Sequence, residues 1–248
     1  MSDQRATSFG AQASAYDAGR PEYPVEAVEW MLARLPIGAR RIADVGAGTG
    51  KLTRAVLATG LDEIVAVDPD ARMLAALAGT TSAVPTVVGT AESLPLEDGS
   101  VDAVVMGQAW HWVDPVAAST EIGRVVRPAG TLGLIWNIRD EREEWVRALT
   151  GIMHSSPAEN MVNGPTGPGI REPFDDVERR SWQWARPMSR AQLHTMVFSR
   201  SYLITAPERE RIQIARDMDA LFDELALDDA GTIDLPYVTT AYRATRRD

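Results

Sequence analysis

The sequence predicts an α/β protein with a doubly wound, mostly parallel sheet, a C-terminal antiparallel strand pair and a helical or loop cover. Three observations carry this. Through the first half of the chain, short apolar runs alternate with helical stretches of about ten residues. A glycine-rich turn separates the first apolar run from the first helix. In the second half the rhythm breaks, leaving two strand-like segments with no βαβ helix between equal partners.

The elements follow in order. ARRIADVG reads as the first strand, and KLTRAVLATG as a helix closed by Gly60. EIVAVD is the second strand, followed by a helix from Ala71 to about Leu77. TVVGTAE is a short third strand and SVDAVVMGQ a fourth. DPVAASTEIGRVV is a helix with Asp114 as N-cap and Pro115 just inside it. TLGLIWN is the fifth strand. Strands that are apolar throughout imply a parallel sheet covered on both faces. Beyond it, EREEWVRALTGIMH reads as a helix and NGPTGPG, Asn163 to Gly169, as a turn-rich loop. RRSWQWARPM and IDLPYVTTAYRAT are β-like, with the helices SRAQLHTMVFS and PERERIQIARDMDALFDELAL between them.

Composition removes several classes. The 248 residues are 45% hydrophobic and 24% charged, ordinary globular values that exclude disorder. Cys is 0, which excludes disulfides, thiolate metal sites and a cysteine nucleophile. Basic residues number 25 against 35 acidic, a net charge of -10, so a general attraction to nucleic acid or anionic lipid is not expected. The N-terminus MSDQRATSFG has no apolar core, and no apolar run nears the ~20 residues of a membrane span. The expected location is cytoplasmic.

The most informative stretch is Asp44-Val45-Gly46-Ala47-Gly48-Thr49-Gly50, directly between strand and helix. Glycine at three alternate positions permits positive φ and removes Cβ atoms where a ligand must approach the backbone. A dinucleotide loop would read G-x-G-x-x-G, but here the third glycine comes one residue early and Lys51 takes the required place. A Walker loop is excluded because no G-K-[ST] follows four spacers. Asp68 ends the second strand on the same sheet edge, within reach of a ribose's hydroxyls. The bland alternative is that Asp68 only caps the next helix.

As an ordered set, IADVGAGTGKLT, IVAVDPDARML, VGTAESLPLEDGSVDAVVMGQAWHWVD and RPAGTLGLIWN resemble the class I S-adenosylmethionine-dependent methyltransferases. Within them the chain is similar to the small-molecule type 11 branch, including trans-aconitate methyltransferase-like proteins. The resemblance covers about residues 9–137 well and implies a Rossmann-like fold in one domain over 1–248. Residues 1–24 would be a lid arm, 25–137 the cofactor-binding core, 138–178 the substrate cover and 179–248 the part completing the sheet. It implies S-adenosylmethionine as cofactor and a small-molecule methyl acceptor as partner. Asp44, Gly46, Ala47, Gly48 and Gly50 would line the methionyl part, and Asp68 would hold the ribose. Met73 would pack near the adenine, with the Ala91 backbone and Glu92 beside it; Thr90 stands where many relatives carry Asp. Gln108 would face the methionyl group or the acceptor. Tyr16, Arg20 and Tyr23 fall in a Y-x-x-x-R-P-x-Y-P lid pattern.

Other residues carry two readings each. His111, between Trp110 and Trp112 after the fourth strand, is either the catalytic residue or a structural histidine bonded to backbone. Arg139 and Arg171 border the cover and either hold an anionic substrate or form surface salt bridges. Asp140, Glu141, Glu143 and Glu144 read as a solvated helix start, and Trp182 and Trp184 as core. His154 and His194 have weaker context, and no cluster has metal-ligand spacing, so no metal is expected. A non-catalytic cofactor-binding module and a nicotinamide-dependent reductase remain as alternatives to a methyltransferase.

Overall fold

The computed structural model describes residues 19–81, 83–154, 157–164, 167–200, 203 and 206–247. Tyr16, most of the expected lid arm and residues 165–166 of the turn-rich loop lie outside the described residues. The strands are β1 (Arg41–Val45), β2 (Glu63–Asp68), β3 (Thr86–Val88), β4 (Val101–Gly107), β5 (Val126–Arg139), β6 (Phe174–Ser189) and β7 (Thr232–Arg246). The helices are α1 (Val25–Leu32), α2 (Lys51–Leu57), α3 (Ala71–Thr80), α4 (Pro115–Val125), α5 (Glu144–Met153), α6 (Pro157–Asn163), α7 (Arg190–Phe198) and α8 (Glu208–Glu224).

They form one seven-stranded sheet in the order β3-β2-β1-β4-β5-β7-β6. The first five strands are parallel, while β7 pairs antiparallel with β5 and with β6. Chain order reverses between β1 and β4, and in open sheets of this kind ligands bind outside the strand ends at that point. The central strands are buried on both faces, which is why they read as unbroken apolar runs. One face packs under α4 through Ala118, Ile122 and Val125. The other packs under α1, α2 and α3 through Met31, Val56 and Leu77. Helix α1 approaches β5 so closely that a Cβ on Gly133 would lie 2.5 Å from Met31 Cγ. A third cluster joins α5, α7 and α8 to the ends of β6 and β7.

The cover differs from its expected outline. Strand β6 begins at Phe174, inside the stretch expected as cover, and α6 forms where no helix was expected. Asp114 caps α4 as expected, its Oδ1 accepting from the Val116 and Ala117 N–H groups at 2.8 and 3.0 Å. Among the described residues no helix is long and apolar enough to cross a membrane, and no side-chain cluster could hold a metal ion.

Helix α7 starts with a full capping box: Ser189 Oγ accepts from the Gln192 N–H, and Gln192 Oε1 accepts from the Ser189 N–H at 2.9 Å. Ser189→Ala should therefore lower unfolding stability by about 1 kcal/mol. Urea denaturation of the two proteins checks this, and identical curves would show that the cap adds nothing.

Candidate active site

The glycine loop is fastened to β2. The N–H groups of Gly46 and Ala47 both donate to Val67 O, at 2.8 and 3.1 Å, and Gly50 N–H donates to Ala47 O at 2.9 Å. Gly48 has φ +56° and a Cβ there would meet nothing within 4 Å, so this position opens onto free space. At Gly46 a Cβ would strike Ala109 Cβ at 2.6 Å, so only glycine lets the loop lie against the segment after β4.

Two carboxylates at the end of β2 divide the work. Asp70 is the N-cap of α3, accepting from the Arg72 N–H at 2.9 Å. Asp68 is not the cap. Its Oδ2 accepts from the Gly48 N–H and its Oδ1 from the Asp70 N–H, each at 2.9 Å. A carboxylate has about four lone-pair sites, so Asp68 can orient the loop and still accept from a ligand's hydroxyls. Burial raises its pKa above the ordinary value.

Beside the loop lies a cleft of about 490 Å³, counting its open mouth. Of the residues expected at the site, Arg20, Tyr23, Gly46, Ala47, Gly48 and Gln108 line it. Arg20 to Pro24 close it from above: Lys51 Nζ and Arg54 Nη2 donate to Glu22 Oε1 at 2.8 and 3.2 Å. Tyr23 Oη reaches β4 so closely that a Cβ on Gly107 would sit 2.6 Å from it. Gln108 holds an unusual φ of 54°, fixed by its N–H to Ile135 O at 2.9 Å and its Nε2 to Asn137 O at 2.7 Å.

Asn137, also on the cleft wall, was not singled out in the sequence. Its Nδ2 donates to Glu22 O at 3.0 Å, and its Oδ1 accepts from Thr239 Oγ1 at 2.6 Å. Thr239 in turn accepts from Trp184 Nε1 at 2.8 Å. The only trace in the sequence is a polar residue closing the apolar run TLGLIWN.

Asp44, Gly50, Asp68, Met73, Ala91, Glu92 and His111 are not among the residues lining this cleft. Asp44 lies beneath it, fully buried, with Thr53 Oγ1 donating to its Oδ2 at 2.6 Å. Its Oδ1 is buried without a hydrogen-bond partner among the described residues. Burial, more than its neighbours, pushes its pKa up to about 7. Met73 and Ala91 are buried, and Glu92 Oε1 accepts from the Asp114 N–H at 3.0 Å.

His111 sits in a short 3-10 helix, Trp110–Trp112. Trp110 is buried, its Nε1 donating to Pro168 O at 2.6 Å, whereas Trp112 is exposed. Trp136 Nε1 donates to His111 Nδ1 at 3.4 Å. Burial, with a smaller effect of the Arg20 charge, depresses the His111 pKa to about 4. The ring is thus neutral at pH 7, with Nδ1 the acceptor and the proton on Nε2.

The expectation of a surface salt bridge at Arg139 is corrected. Arg139 is 5% exposed, and its Nη2 donates to Glu159 Oε1 at 2.6 Å and to Thr150 Oγ1 at 3.2 Å. Glu159 is itself buried and also pairs with Arg200 at 3.5 Å. The chain buries these charges because they come in hydrogen-bonded company, which sequence position alone does not reveal. Arg171 is held through its backbone, its N–H donating to Ser119 Oγ at 3.0 Å and its carbonyl accepting from the Phe174 N–H at 3.2 Å. Trp182 and Trp184 are half-buried on β6, against Trp30 and Tyr237.

A methyltransferase-domain family matches residues 43–134, from β1 through most of β5. An uncharacterized methyltransferase of Mycobacterium tuberculosis is 46% identical over 241 residues, spanning 96% of this chain and 95% of that protein. The chain belongs to the methyltransferases. Among solved structures, a protein of Anaeromyxobacter dehalogenans assigned as a type II methyltransferase matches with TM-score 0.63 and 19% identity, over 90% of this chain and 97% of that one. Haemonchus contortus phosphoethanolamine N-methyltransferase 2, solved with S-adenosyl-L-methionine, matches with TM-score 0.52 and 14% identity, over 96% of this chain and 57% of that one. Both likenesses concern the fold. The methyltransferase is S-adenosylmethionine-dependent, and its residues fit that cofactor: the cradle is open at Gly48, and a buried oxygen of Asp44 lacks a partner. Membership also removes the nicotinamide-dependent reductase as an alternative.

The raised pKa of Asp44 has a sign that can be measured. An acid whose folded pKa exceeds its unfolded one favours the fold fully below the unfolded value, and that contribution is lost as pH rises through the folded value. Between the ordinary 3.8 and about 7, the wild type should lose stability relative to Asp44→Asn, on the order of a few kcal/mol in total. Above pH 7 the difference should level off. Denaturant unfolding of both proteins at stepped pH checks this, and curves that stay parallel would refute it.

Proposed function

We propose that this methyltransferase transfers its methyl group to a small-molecule acceptor bound under the cover between β5 and β6. The observation that carries this is the shape of the cleft. It is closed from above by Arg20, Pro21 and Tyr23 and walled by the ends of β4 and β5, a narrow enclosure that suits a compact acceptor better than a macromolecule. The acidic net charge adds to this by offering no general attraction to nucleic acid.

Each residue then has a physical task. Asp68 holds the ribose hydroxyls with the lone pairs left over from the Gly48 and Asp70 N–H groups. Gly46, Ala47 and Gly48 bring bare backbone to the methionyl part, and Asp44 faces its ammonium group through the unpartnered Oδ1. Gly50 serves one step removed, giving the loop the left-handed turn that starts α2. Met73 and Ala91 border the adenine, and the Glu92 oxygen not bonded to Asp114 accepts from its amine. Arg20 and Tyr23 close the arm over the cofactor, and Gln108, locked by Asn137, orients the reacting centre.

The sulfonium supplies an already activated methyl carbon, so the protein's part is alignment and the exclusion of water, worth up to ~7–11 kcal/mol in well-oriented systems. His111 suits a donor role better than a base. Its Nε2 carries the proton, and a pKa of about 4 gives it little pull on an acceptor proton at neutral pH.

Two variants test these assignments. Asp68→Ala should weaken S-adenosylhomocysteine binding roughly 10- to 150-fold, the loss of about 1.5–3 kcal/mol from charge-assisted hydrogen bonds. Calorimetry on a folded variant reads this, and an unchanged dissociation constant would assign Asp68 to loop geometry alone. His111→Ala should lower turnover of labelled methyl while cofactor affinity holds, and the wild-type rate should show no inflection near pH 6.5. A fall in rate with a pKa of 6–7 that His111→Gln abolishes and Asp44→Asn does not would restore the general-base reading.

A further inference from the structure

We infer that the methyl acceptor carries an oxyanion group, carboxylate or phosphate, seated among Arg20, Arg139, Arg186 and Arg200 beside the cofactor cleft. This rests on the proposed function above and names the acceptor class for the same site.

The guanidinium groups converge from four separate segments. Arg139 on β5, Tyr237 on β7 and Trp184 on β6 are direct register partners, so their side chains share one face of the sheet. Arg186 lies two residues beyond Trp184 on that face. Trp184 stacks on the Tyr237 ring at 5.0 Å and 18°, and Tyr237 Oη donates to Met196 Sδ at 3.4 Å, which brings the row to α7. At the end of α7 the chain passes into Arg200, whose Nη2 meets Glu159 at 3.5 Å. Gly19 packs against the same turn, where a Cβ would lie 2.7 Å from Ser199 Oγ, so Arg20 enters from there.

The charge pattern gives the ligand its sign. Arg139, Arg186, Arg20 and Arg200 all act on the Tyr237 hydroxyl through their charge. Arg139 is 5% exposed, and its Nε–H is buried with no acceptor among the described residues even though Nη2 is engaged with Glu159. A buried guanidinium N–H without an acceptor costs stability, and a planar oxyanion would supply one together with the geometry a guanidinium fork recognises. The Tyr237 hydroxyl, whose acceptor among the described residues is a thioether, is a second donor to such a group. This concentration of positive charge stands in a chain of net charge -10, so it is a local field and not a property of the surface.

Position joins the arginine cluster to the reaction. Arg20 also lines the cofactor cleft, and its charge reaches His111. An oxyanion held here lies next to the place where the methyl group is delivered.

The test uses the full chain saturated with S-adenosylhomocysteine and calorimetric titration with small dicarboxylates, phosphate monoesters and the corresponding uncharged amides. Saturable binding of one oxyanion class, without binding of the amides, is expected. Arg186→Gln and Arg139→Lys should each weaken it by at least about tenfold, the loss of one charge-assisted hydrogen bond, with S-adenosylhomocysteine affinity held. Arg139→Lys retains a cation opposite Glu159 while the fork is lost, and thermal unfolding selects the variants that are folded. A response to carboxylates alone or to phosphates alone assigns the group. No oxyanion binding to the loaded wild type, or equal binding in both folded variants, overturns the inference. If S-adenosylhomocysteine itself does not bind, the proposed function fails, while the same titrations on the chain alone still judge the arginine cluster.

Discussion

All five parallel strands end on one edge, and there the backbone must turn, remain hydrogen-bonded and leave space for a ligand. The loop after β1 meets these demands by lending its N–H groups to β2, two to Val67 O and one to Asp68. That places Asp68 and the loop in fixed relation, whatever the surface elements do. It also explains why the cleft can be polar at its floor without unfolding the sheet above it. Asp44, under the loop, keeps a buried oxygen with no partner among the described residues, a cost of about 1–3 kcal/mol that a ligand's donor would offset.

The arm and the two added antiparallel strands are tied into this edge by polar contacts across great sequence distance. Asn137 on β5 binds Glu22 O on one side and Thr239 on β7 on the other, and Thr239 receives Trp184 from β6. Gln108 leans on the same residue through Asn137 O. One buried amide thus coordinates the segment above the cleft, the residue at its wall and the strands that support the cover. Such a network is rigid only while every member is satisfied.

How far the sequence showed this depends on what each residue answers to. The parallel strands and their helices were legible because burial on both faces forces continuous apolar runs, and Asp114-Pro115 marked a helix start through local chemistry alone. The glycine loop was legible because its need for bare backbone is also local. The start of β6 was not: FDDVERR lies on the outer strand of the sheet, where charges blunt an open edge and no core face imposes alternation. Asn137 was missed because its partner Thr239 lies 102 residues away. Arg139 looked like a surface charge because the pairing with Glu159 that permits its burial is tertiary.

That pairing also decides what the cover can be. A lid made of apolar side chains alone would shed water equally well for any neutral acceptor. Here the cover is pinned by a buried carboxylate between two buried arginines, and apolar residues of similar volume are often as stabilising or more so. Stability therefore does not account for the charges. Their position does, since Arg20 belongs at once to the cofactor cleft and to the charged group around Tyr237. His111, neutral with its proton on Nε2, adds a further donor within the reach of the Arg20 charge. On the inference drawn above, a partner that brings its own negative charge would answer these donors, and an anionic nucleophile would require no base.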